Sequence, residues 1–198
     1  MKFDRSIVQT TFQSPLGKMI IAATDKGLAG LWFEGQRHMP LELAELDHRA
    51  PRRAAPSKHS PLGGQRITRS EKRGGQTHWP TQPDHPALKQ TIQQLTEYFA
   101  GRRTSFDVPL DLAYGTAFQQ SVWQALLAIP QGGTLSYSEV SGSIGKPAAV
   151  RAVGAAVGRN PVSIIVPCHR VLGTNGSLTG YAGGLDRKTA LLKLEGVL

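Results

Sequence analysis

The first forty residues carry three short β-rich runs, "SIVQTTFQ", "GKMIIAAT" and "LAGLWFE". The turn signals Ser14-Pro15-Leu16-Gly17 and Asp25-Lys26-Gly27 separate them, which predicts an antiparallel meander. Further on the period changes. "HPALKQTIQQLTEYFAG" spaces Leu88, Ile92, Leu95 and Phe99 at helical intervals and stops at Gly101. "GTAFQQSVWQALLAIPQGG" predicts a second helix, with Thr116 as N-cap, Phe118, Val122, Leu126 and Ile129 on one face, and Pro130 at its end. "SYSEVSGSIGKPAAVRAVGAAVGRN" then predicts a short helix over about 137–144, a turn at Gly145-Lys146-Pro147, and another helix over about 148–158. Two short helices joined by a tight glycine-containing turn spell a helix-turn-helix, a pattern that many helical hairpins share. The apolar run "SIIV" after it reads as a buried strand leading into Pro167, Cys168, His169 and Arg170.

The second helix of the hairpin is nearly bare of side chains, with Ala148, Ala149, Ala152, Gly154, Ala155, Ala156 and Gly158. So smooth a surface suits either close packing on another helix or the floor of a narrow groove. Arg151 stands alone on it, and packing gives no reason for that guanidinium.

With 198 residues, 39% of them apolar, the chain has enough material for one large domain or two small ones with a real core. Its single cysteine excludes an internal disulfide and any zinc site built from several thiolates. The start "MKFDRSIVQTTF" has no signal-peptide core, and no apolar run approaches the ~18 residues of a membrane span, so a cytoplasmic protein is expected. The net charge of +9 is unevenly spread. Residues 49–76 hold eight Lys or Arg against Glu71 alone, residues 115–198 come to +4, and the rest to −2. Rich in Pro and Gly and charged with one sign, the 49–76 stretch reads as a mobile loop or linker, with a phosphate-binding arm as the alternative.

Cys168 has two readings, a small buried hydrophobe or a nucleophile. "GTAFQQSVWQALLAIPQGGTLSY", "IGKPAAVRAVGAAVGRNPVSIIVPCHRV" and "GSLTGYAGGLDRKTALLKLEG" resemble, in order and spacing, the C-terminal domain of the O6-alkylguanine-DNA alkyltransferases, methylated-DNA–protein-cysteine methyltransferases of the bacterial single-function type. "SPLGKMIIAATDKGLAGLWFEGQ" is similar to their ribonuclease-H-like domain, and the match spans the chain except about 37–85. The resemblance implies a mixed α/β (α+β) fold. A ribonuclease-H-like β-meander domain is expected over 1–111, with a basic flexible insertion at about 49–84. A winged or helix-turn-helix DNA-binding domain with the reactive cysteine is expected over 112–198.

The family moves an alkyl group from guanine O6, and less readily from thymine O4, onto a cysteine sulfur, once per chain. The resemblance makes Cys168 the acceptor. His169 cannot readily turn its ring onto its neighbour's sulfur; the family's matching histidine acts through a water and is held by a glutamate that Glu195 matches, the orienting logic of hydrolase triads. Asn160 matches an asparagine that orders the turn before the cysteine strand. Tyr137 matches the tyrosine that crowds the target's 3′ phosphate, and Arg151 the arginine that fills the stack when the base is flipped out. Ala149, Ala152 and Gly154 would then lie in the minor groove. The carbonyls of Cys168 and Val171, with Tyr137 and the N–H of Ala182 after Tyr181, would read the base. The expected partner is double-stranded DNA carrying O6-alkylguanine, with no membrane, obligate protein partner or cofactor. No metal is expected, because the cysteines of the family's zinc-holding members are absent. Two rivals remain: a DNA-binding regulator with Cys168 as filler, and a cysteine hydrolase that turns over many times.

Overall fold

The computed structural model describes residues 6–40 and 79–198; the basic stretch at 49–76 lies outside the described residues. Strands β1 (Val8–Ser14), β2 (Gly17–Thr24) and β3 (Gly27–Phe33) pair antiparallel in that order, as the turn signals require. The period-2 alternation of a strand sends Met19, Ile21, Leu31 and Phe33 into the main core, while Ile20, Ala22 and Trp32 face a smaller cluster closed by Trp79. The Trp79 ring packs tilted against Trp32, with centroids 6.1 Å apart. The Gln9 N–H donates to the Pro80 carbonyl and the Gln82 N–H to the Gln9 carbonyl, both at 2.9 Å. Residues 79–82 are therefore tied along β1 and do not belong to the flexible stretch expected to reach about 84.

Helix α1 (Pro86–Phe99) starts on a proline that needs no donor there and buries Leu88, Leu95 and Tyr98 against the sheet. Helix α2 (Ala117–Leu127) begins at the expected cap. The Thr116 hydroxyl accepts from the Gln119 N–H at 3.2 Å, and the Gln119 side chain accepts from the Thr116 N–H at 2.9 Å. A two-residue strand, β4 (Leu135–Ser136), runs into α3 (Tyr137–Ser143), where Ser136 and Glu139 repeat that reciprocal cap. The Ser141 hydroxyl donates to the Lys146 carbonyl and closes the turn. Beyond it, Pro147–Ala149 forms a 3₁₀ turn, so α4 (Val150–Gly158) begins two residues later than the spacing predicts. Strand β5 (Val171–Leu172) pairs parallel with β4, and α5 (Leu185–Leu194) closes the chain, with Glu195 as its C-cap. Sheet, helices and the segment before Cys168 share the main core. Among the described residues no helix is long and apolar enough to cross a membrane.

Gly142 sits in α3, exposed, and an added Cβ there would meet nothing within 4 Å. Gly142→Ala should therefore stabilise the protein by up to about 1 kcal/mol, raising the thermal midpoint by roughly 2–4 °C. An unchanged or lower midpoint would show that α3 does not exist as a full helical turn at that residue.

Candidate active site

The run before Cys168 is not a strand. Only Val162 bridges β3, with the Leu31 N–H donating to the Pro161 carbonyl and the Ser163 N–H to the Leu31 carbonyl, each at 2.8 Å. The chain then turns, and Ile164 adopts φ 71, a left-handed conformation that a β-branched residue rarely takes. Asn160 is the cause. Its Oδ1 accepts from the Val162 N–H at 3.0 Å, while Nδ2 donates to the Val166 carbonyl at 2.7 Å and to Cys168 Sγ at 3.0 Å. An amide that captures backbone groups in this way competes with a sheet ladder. Cys168, His169 and Arg170 consequently sit on a 3₁₀ turn, all three buried.

A chain of polar groups runs back from this turn. His169 is fully buried, with Nε2 2.9 Å from Glu195 Oε1. Arg170 grips the same carboxylate through Nε (2.8 Å) and Nη2 (2.9 Å), and the Tyr98 hydroxyl donates to Oε1 at 2.7 Å. Burial pushes the Glu195 carboxyl up, but the hydrogen bonds from His169, Arg170 and Tyr98 outweigh it and bring it down to about 2. Glu195 is thus an anion, and His169 Nε2 carries the proton that it donates. Burial also lowers the His169 pKa below the ordinary imidazole value, which keeps the ring neutral at pH 7. Its Nδ1 then holds a lone pair, is buried, and has no hydrogen-bond partner among the described residues. Burial pushes the Cys168 thiol up to about 11, against the opposing pull of the Asn160 amide and the Lys188 ammonium. The resting sulfur is a protonated thiol with a potential base next to it in the chain.

In front lies a cavity of about 420 Å³, whose walls include Tyr137, Arg151, Gly154, Tyr181 and Ala182. Cys168 lies behind those walls, close enough that its charge raises the pKa of both Tyr137 and Tyr181, burial being the larger cause. An added Cβ at Gly183 would lie 2.8 Å from the Tyr181 ring and 3.1 Å from Phe33, so only glycine lets the loop pass there. The Tyr137 hydroxyl points to the Gly180 carbonyl at 3.5 Å. On α4 the buried face is Val153, Ala156 and Val157, pinned by the Trp123 indole donating to the Ala156 carbonyl at 3.0 Å. Ala148, Arg151, Ala152 and Ala155 form the exposed face, and Ala149 and Gly154 are half-buried beside it. Packing on another helix is therefore not what keeps the outward face bare.

Cys168, His169, Glu195 and Asn160 thus come together as one group, and Tyr137, Arg151, Gly154, Tyr181 and Ala182 as the cavity next to it. Val171 is not among the residues lining the cavity; it is buried in the main core, and its carbonyl already accepts from Lys188 Nζ at 2.6 Å. Sequence reasoning missed Lys188, Tyr98 and Arg170. Lys188 is fully buried, also donates to the Thr179 carbonyl at 2.9 Å, and is drawn down to about 8 by burial. The one available signal was Lys188 itself, a lysine at a core-facing position of an otherwise apolar helix stripe.

Comparison with known proteins shows the family. The family model described as the 6-O-methylguanine DNA methyltransferase ribonuclease-like domain matches residues 7–112, and that of the same family's DNA binding domain matches 117–197. The chain belongs to the 6-O-methylguanine DNA methyltransferase family. A methylated-DNA–protein-cysteine methyltransferase of Methanosarcina barkeri is 57% identical over 184 residues, covering 92% of this chain and 93% of that one. The Mycobacterium tuberculosis protein of the same name is 60% identical over 119 residues, 60% of this chain and 70% of its own length. A crystal structure of Mycobacterium tuberculosis OGT in complex with DNA superposes with a TM-score of 0.69 at 42% identity, covering 93% of this chain and 90% of that one.

Proposed function

We propose that the protein repairs double-stranded DNA by moving the alkyl group of O6-alkylguanine, and less readily of O4-alkylthymine, onto Cys168 Sγ, once per chain. The observation that carries this is the sole cysteine next in the chain to a buried histidine whose Nδ1 is unpartnered among the described residues and whose Nε2 meets a carboxylate clamped by three donors, beside a cavity that opens next to a smooth exposed helix. His169 Nδ1 takes the thiol proton through a water, and Glu195 holds the ring in the required tautomer. The sulfur–carbon bond forms as the carbon–O6 bond breaks; the electron pair goes to the base, which gains one proton and leaves neutral. Asn160 orients the sulfur. Tyr137 presses on the phosphate 3′ of the target and, with the Cys168 and Val171 carbonyls and the Ala182 N–H, reads the base next to Tyr181. Ala149, Ala152 and Gly154 let α4 sit close in the minor groove, and Arg151 fills the stack. The working division is a ribonuclease-like lobe over 1–111 and the alkyltransferase lobe over 112–198, in a reducing cytoplasm that keeps the thiol free.

Duplex DNA carrying O6-methylguanine with a labelled methyl tests this assignment. The label should move to the protein and leave guanine behind; label released as methanol or as free methylated base would contradict it. Base extrusion has its own check. Arg151→Ala should slow repair of duplex lesions by roughly 10- to 100-fold, since unpairing costs a few kcal/mol, with undamaged-duplex affinity changed far less. Repair at the parent rate would remove Arg151 from that role.

A further inference from the structure

The family resemblance placed the named DNA-facing residues in the C-terminal lobe. The cavity wall says otherwise, because Arg37 and His38 of the N-terminal lobe line the same cavity as Arg151, Tyr137 and Tyr181. Both residues are exposed, and neither side chain has a hydrogen-bond or ion-pair partner among the described residues. Among the described residues no acidic one lines this cavity.

Their position is held from three sides. The Arg37 N–H donates to the Ala182 carbonyl at 3.0 Å, on the loop next to Tyr181. The buried Gln36 accepts through Oε1 from the Phe33 N–H at 2.9 Å and from the Ser163 hydroxyl at 3.2 Å, which ties the turn both to β3 and to the segment that carries Cys168. His38 has φ 63, and the other described non-glycine residue in the left-handed region is Ile164, in the turn before Cys168. Such conformations cost of order 1–3 kcal/mol and persist where the surroundings over-determine them, commonly at functional sites.

We propose that Arg37, assisted by His38, contacts the DNA phosphates flanking the extruded nucleotide, so that the N-terminal lobe holds the strand across the cavity mouth from Arg151. The proposal rests on the alkyl-transfer assignment. A guanidinium offers five donors in a planar fork suited to phosphate, and the His38 imidazole offers one more N–H. A cation fixed by backbone pairing, exposed, and placed on a rim without acids has a polyanion as its natural partner.

The test separates phosphate contact from base contact and from bulk charge. For the parent, Arg37→Ala, Arg37→Lys, His38→Gly and Lys26→Ala, affinity for O6-methylguanine duplex is measured across a salt series, together with the single-event rate on free O6-methylguanine base. Lys26 lies exposed on the β2–β3 turn and is the charge control. Arg37→Ala should lose roughly five- to tenfold in duplex affinity at ~0.1 M salt, with the salt slope reduced by about one phosphate contact, and should keep the free-base rate within about twofold. Arg37→Lys should restore most of the slope, and His38→Gly, which tolerates the left-handed backbone, should lose two- to threefold. Unchanged affinity and slope in Arg37→Ala, an equal loss in Lys26→Ala, or a parallel loss on the free base would each overturn the proposal. The parent's transfer of one methyl per chain in the same assay reports separately on the alkyl-transfer assignment.

Discussion

Cys168→Ala should bind lesion duplex within about threefold of the parent and transfer nothing. No other cysteine exists in the chain, and a serine or threonine hydroxyl beside the cavity has no thiolate-like form near neutral pH. The substitution removes only a sulfur that is 5% exposed, so its structural cost is on the order of 1 kcal/mol. Asn160 keeps its bonds to Val162 and Val166 and continues to hold the turn. Because burial pushes the thiol up to about 11, only about one sulfur in ten thousand is a thiolate at pH 7 in the DNA-free protein. Iodoacetamide should accordingly modify the free protein far more slowly than it modifies an ordinary exposed cysteine. Fast labelling without DNA would mean that the thiol is already activated, and that the His169 relay is not needed to take its proton. Residual methyl transfer by Cys168→Ala would place the acceptor elsewhere.

Glu195→Gln should slow the single event by roughly two to four orders of magnitude, the usual size of a general-base contribution, and leave one methyl per chain as the limit. It should also cost stability. The carboxylate neutralises Arg170, whose guanidinium is otherwise held, among the described residues, by the Ile129 carbonyl, and removing one partner of a buried ion pair costs about 3–5 kcal/mol. The pH dependence has a definite sign. The folded-state pKa is about 2, below the ordinary carboxyl value, so Glu195 adds stability that is fully present above its unfolded pKa and is lost as pH falls through the folded one. That contribution is on the order of 3 kcal/mol. Denaturant titrations should show the parent's advantage over Glu195→Gln shrinking between about pH 5 and pH 2. A constant difference across that window would show that the carboxylate is not held as an anion by His169, Arg170 and Tyr98.

Much of this architecture is written locally. Thr116 and Ser136 announce their helices because each cap needs only a hydroxyl and a glutamine or glutamate three residues on. The meander follows from its turns, and the bare face of α4 from its alanines. What stayed hidden is long-range. "SIIV" has the composition of a strand, and only the Asn160 side chain, by taking the Val162 and Val166 backbone groups for itself, makes it a turn. The 3₁₀ turn over Pro147–Ala149 delays α4, and nothing in the local spacing separates it from a first α-helical turn. The brace on Glu195 joins residues 97 and 25 positions apart, Tyr98 and Arg170, and no spacing rule connects them. Lys188 and Gln36 share that property, since each satisfies backbone or hydroxyl groups brought near only by folding.

The measurement that bears most directly on the mechanism is intact-protein mass after incubation with excess O6-methylguanine duplex, followed by peptide mapping. A thioether has no acidic proton, leaves poorly, and is not reversed by thiol exchange. The expected result is a single added CH₂ per chain, located on the peptide that holds Cys168, with the DNA yield stopping at one equivalent. Several equivalents repaired per chain, or a methyl group mapped to any other residue, would contradict the account.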